Sequence, residues 1–64
     1  MKKVIFSNKE TKEAISCMAG NLGEHVYKAT KSTQETNNAI RWCNRNGVGE
    51  ELETEKYKIV IISM

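Results

Sequence analysis

The stretch "YKIVIIS", residues 57–63, restricts the fold more than any other part of the chain. It is dense in β-branched residues and free of glycine and proline, which marks a strand. Ile59 and Ile61 point one way and Val60 and Ile62 the other, so the strand is apolar on both faces. A strand of that kind is expected to sit centrally in a sheet with cover on both sides. The 64 residues make one small domain, residues 1–64, near the lower size limit for folding without disulfides or metals.

Around that strand the sequence predicts an alternation of strands and helices. "KVIF", residues 3–6, reads as a strand. Ser7 and Glu10 then form an S-x-x-E capping box, followed by an apolar stripe of Thr11, Ala14, Ile15, Met18, Ala19 and Leu22 at helical spacing. Gly23 is placed to end that helix. "HVYKAT", residues 25–30, is a weaker, edge-like strand. Ser32 and Glu35 open a second helix with Thr36, Ala39, Ile40 and Cys43 as its stripe and Asn46-Gly47 as its stop. The two helix starts even share residues: "SNKETKEAI" (7–15) and "STQETNNAI" (32–40) have Ser, Glu, Thr, Ala and Ile at the same places. Convergence on one capped helix start accounts for this without a duplication.

The expected fold is therefore α/β (or α+β): a single-layer sheet in strand-helix-strand-helix-strand order, with three strands and two helices. With parallel strands and right-handed crossovers, the order 1-3-2 puts residues 57–63 in the middle and sends the helices to opposite faces. A winged helix-turn-helix is the alternative. In it "MAGNLGEHVYKATKS" supplies the turn and second helix, residues 33–46 the third, and residues 50–63 a wing. "ETNNAIRWCNRNG", residues 35–47, resembles the recognition helices of excisionase-like winged-helix proteins, which implies DNA contact by that helix. The wing would be acidic where theirs is basic.

Composition argues against catalysis. Aspartate is absent and there is one histidine, so most triads, acid–base pairs and carboxylate–metal sets lack their parts. Cys17 and Cys43 are the only thiols and are not in a C-x-x-C pair, so no metal site is expected and both read as small apolar filler. No nucleotide-binding glycine motif occurs and no cofactor is expected. There is no membrane-length apolar run, and the apolar start of "MKKVIFS" ends at Phe6, short of a signal peptide, so the expected location is cytoplasmic. Residues 1–47 carry eight basic and four acidic residues, and residues 48–64 carry two and four. The surplus permits nucleic-acid binding without requiring it.

The most informative surface lies on the second helix. Helical spacing puts Asn38, Arg41, Trp42 and Arg45 together: an aromatic plane, two forked donors and an amide. Trp and Arg dominate binding hot spots, while Arg and Asn also read base edges. The competing role for Trp42 is closure of a small core. Lys9, Lys28 and Lys31 form a secondary set for an anion or nucleic acid, with Lys9 and Lys31 beside the two expected helix starts. The acidic run Glu50, Glu51, Glu53 and Glu55 reads as a solvated loop guarding the last strand. His25 reads as a surface histidine. These features predict a small non-enzymatic protein that binds a larger protein as an inhibitor, adaptor or accessory factor, of the kind phages and mobile elements encode. DNA binding through the same helix is the alternative.

Overall fold

The computed structural model describes residues 2–64 and is a small α+β domain. In chain order it comprises β1 (Lys3–Asn8), β2 (Glu13–Met18), a 3-10 turn (Ala19–Asn21), α1 (Leu22–Thr30), α2 (Thr33–Arg45), β3 (Glu51–Glu53) and β4 (Tyr57–Ser63). The strands form one antiparallel sheet in the order β2-β1-β4-β3. Strand β4 is central, as its apolar residues demanded. The parallel three-strand arrangement is corrected: among the described residues there are four strands, and each pairing is antiparallel.

The first expected helix is a hairpin. Asn8 Oδ1 accepts from the backbone N–H groups of Glu10 (2.9 Å) and Thr11 (3.2 Å), and Lys12 N–H donates to Asn8 O at 2.7 Å. Asn8, rather than Ser7, takes up the free donors, and it does so in a turn. Lys12 closes that turn in the left-handed region at φ 64°. The returning segment "EAISCM" pairs along all of β1, from Lys3↔Met18 to Asn8↔Glu13. Ser7 consequently lies inside β1 and starts no helix.

Residues 25–30, expected as a weak strand, belong to α1. Leu22, Val26 and Thr30 recur every fourth residue and are buried. Gly23 stands in the first turn of α1 and does not end a helix. A Cβ added there would lie 3.0 Å from Ile40 Cδ1 and 3.4 Å from Thr36 Cγ2. Its missing side chain lets α2 approach α1. Gly23→Ala is expected to be close to neutral, because a helix-propensity gain of about 1 kcal/mol offsets the crowding. Gly23→Val has no such offset and is expected to cost about 1–3 kcal/mol in denaturant melts, as overpacking does.

The winged alternative is right in part from residue 22 onward: two helices are followed by an antiparallel β3–β4 pair. Among the described residues its first helix is absent, and β4 pairs with β1 as well as β3, inside the main sheet.

Both helices pack on one face of the sheet. The core is Val4 and Phe6 of β1, Tyr57, Ile59 and Ile61 of β4, Leu22 and Val26 of α1, and Ala39 and Cys43 of α2. Phe6 stacks on His25 (centroids 6.1 Å apart) and on Tyr57 (5.7 Å). The opposite face is open. Val60, half-buried, is level with Ile5 there, and Ile62, on β4, is exposed. The expectation of cover on both faces of residues 57–63 is corrected: every helix is spent on one side.

Candidate functional site

The outer face of α2 is the best-supported candidate, and the chain holds this helix firmly at both ends. Ser32 is extended at φ −124°, ψ 120°, and its Oγ accepts from Glu35 N–H at 3.2 Å. The N-terminal half of the expected capping box is therefore present. At the other end, Lys2 Nζ donates to the carbonyls of Cys43 (2.6 Å), Asn44 (3.2 Å) and Asn46 (2.6 Å). The Asn46 amide donates to Trp42 O at 2.8 Å. An ammonium group thus meets the negative end of the helix dipole and satisfies carbonyls that lack helical partners.

With its ends tied, α2 turns Ala39 and Cys43 into the core and sets Ile40 and Thr36 against Gly23. Asn38, Arg41 and Arg45 are exposed, and Trp42 is half-buried with its ring against the core. Asn38/Trp42 and Arg41/Arg45 are spaced four apart, Asn38/Arg41 and Trp42/Arg45 three apart, so the four form one contiguous patch. Trp42 serves the core and edges the patch at once. Among the described residues no carboxylate forms an ion pair with Arg41 or Arg45. The only acidic residue of α2 is Glu35, half-buried in the first turn and near Tyr57.

Two of the three secondary lysines already have glutamate partners. Lys9 Nζ lies 2.6 Å from Glu53, holding that carboxyl below its usual range. Lys28 is 4.0 Å from Glu24 within α1. Lys31 caps the C-terminus of α1 in the left-handed region at φ 54°. An anion site made of two neighbouring helix starts does not form, because Ser7 and Lys9 belong to the hairpin. Lys58 is likewise paired, 3.3 Å from Glu51. The acidic run is a correction as well: Glu51 and Glu53 belong to strand β3 rather than to a loop.

Burial pushes the Cys17 thiol above its ordinary value, and nearby Cys43 adds to this. Burial does the same at Cys43, opposed by Lys2. Both thiols stay protonated at neutral pH, the state that suits apolar filler. Burial also raises the Tyr57 hydroxyl, with a further push from Glu35.

A shallow depression of about 200 Å³ lies between α1 and the hairpin, lined by Phe6, Ile15, His25 and Lys28 among others. Sequence reasoning missed it because it joins two segments assigned to other elements. His25 is half-buried there with its ring on Phe6, not a free surface histidine. The Leu22–Val26 spacing was the signal that could have placed it on a helix.

Among the described residues, no group of three or more His, Cys, Asp or Glu side chains is close enough to hold a metal, and no helix is long and apolar enough to cross a membrane. Comparison with known protein families, with curated proteins and with solved structures finds no match.

Proposed function

We propose that this is a non-enzymatic binding protein that contacts a larger protein through the outer face of α2, and that the partner surface is rich in carboxylates. One observation carries this reading. Arg41 and Arg45 stand one helical turn apart, exposed and free of any ion-paired carboxylate among the described residues, beside a half-buried Trp42. Guanidinium groups bind carboxylates in a planar, two-pronged geometry, and Trp supplies rigid apolar area next to them. The remaining positive charge is partly spent within the molecule. Lys9, Lys28 and Lys58 have glutamate partners, and Lys2 sits on helix carbonyls. Lys3, Lys12, Lys31 and Lys56 form no ion pair among the described residues, and what favours a local protein contact is the grouping of Arg41, Trp42 and Arg45 on one helix face. Occupying another protein's surface in this way suits an inhibitor, adaptor or accessory factor, the class phages and mobile elements encode.

DNA binding by the same helix is the second reading, favoured by Arg41, Arg45 and Asn38 on one exposed face followed by a β3–β4 hairpin. Lys28 and Lys31 would then hold backbone. Trp42 is the only tryptophan of the chain, so its emission reports either event. Duplex DNA added at low and moderate salt is expected to leave the emission unchanged. A DNA complex whose affinity falls by about one log unit per log unit of salt for each phosphate contacted would sink the protein-partner reading.

A further inference from the structure

The edges of the sheet are treated differently. Strand β3 is three residues long and carries Glu51 and Glu53, both exposed, which blunts its edge. Strand β2 is six residues long, has Glu13 as its only charge, and contains no proline, lysine or bulge. Its outer backbone groups can be identified. Ala19 N–H donates to Lys2 O at 2.8 Å, and Lys9 N–H donates to Lys56 O at 2.9 Å on the other side of β1. Antiparallel pairs alternate between bonded and non-bonded, so Glu13, Ile15 and Cys17 bond to β1. Ala14, Ser16 and Met18 then direct their N–H and C=O groups away from the sheet.

The geometry points to a second copy of this chain as the occupant of that edge, with β2 pairing antiparallel to β2 of the other copy across a twofold axis at Ser16. In this register Ser16 meets itself and Ala14 meets Met18 on the open face. Ile15 meets Cys17 on the helix face. Ile15 and Met18, each 39% exposed in the single chain, gain apolar neighbours. Glu13 falls opposite Ala19, so no like charges oppose each other. The strand is thus complementary to itself in polarity on both faces, and pairing would join two sheets into one of eight strands. It uses no residue of α2, so Arg41, Trp42 and Arg45 remain free in both copies.

Sedimentation from micromolar to millimolar protein, with amide exchange read at each concentration, tests this. The expected result is a doubling of mass. With it, protection of the Ala14, Ser16 and Met18 amides should rise by about tenfold or more, while Ile15 and Cys17 are protected throughout. Ser16→Pro removes only an outward N–H, which an edge strand tolerates, and is expected to give a folded monomer. Ser16→Lys sets two ammonium groups opposite each other and is expected to do the same without altering the backbone. A chain that stays monomeric at millimolar concentration overturns the proposal. So does a dimer in which the three amides exchange freely, or a folded Ser16→Lys protein that dimerises like the wild type.

Discussion

Replacing Phe6 with alanine is expected to leave the domain largely unfolded at room temperature. Phe6 is 4% exposed, and its ring packs on both His25 of α1 and Tyr57 of β4, tying the hairpin to the helix and to the central strand. Buried Phe→Ala changes cost about 3–5 kcal/mol. A domain of this length has a total stability on the order of 3–10 kcal/mol at the usual value per residue. The loss is therefore comparable to the whole. Phe6→Leu keeps most of the volume and is expected to remain folded with a lowered denaturation midpoint. Equal midpoints for Phe6→Ala and wild type would mean that α1 does not close over the hairpin as described.

Trp42→Ala has the second large effect, and it acts at two levels. The ring is half-buried against the core, so its removal is expected to lower stability by about 2 kcal/mol, less than a fully buried tryptophan would. As an interface anchor it is expected to cost a further 2 kcal/mol or more of partner affinity. Arg41→Ala and Arg45→Ala separate the two contributions, because both side chains are exposed and neither forms an ion pair among the described residues. If these variants melt like the wild type yet bind weakly, the patch is a contact surface. If only Trp42→Ala weakens binding, and it does so by unfolding, Trp42 belongs to the core alone.

The parts of the fold legible in the sequence are those where local and tertiary preferences agree. Strand β4 carries β-branched residues where the sheet needs its centre. Helix α2 has its cap, its stripe and its polar face in register, which is why its four patch residues could be read together. The hairpin was not legible, and α1 was read as a helix only in the winged alternative, because a local signal pointed the wrong way in each. Ser7 and Glu10 spell the same capping box as Ser32 and Glu35, but Asn8 captures the Glu10 N–H, together with that of Thr11, in a turn. The repeated "S..ET..AI" pattern thus adopts two structures, set by the residues between and after the matches. Gly23 looks like a helix stop, and its reason for being there is Ile40, which lies far along the chain and close in space.

The proposal that α2 carries the functional contact is tested most directly by using the protein as bait. Wild type and the Arg41→Ala/Arg45→Ala double variant, shown by amide spectra to share one fold, are immobilised in parallel and exposed to extract of the cell that encodes the chain. Retained proteins and nucleic acids are then quantified. The expected result is a protein with an acidic surface that is held by the wild type and reduced about tenfold or more on the variant, as loss of an interface arginine implies. Equal retention of every partner by the two baits, or retention of nucleic acid alone, would contradict the account.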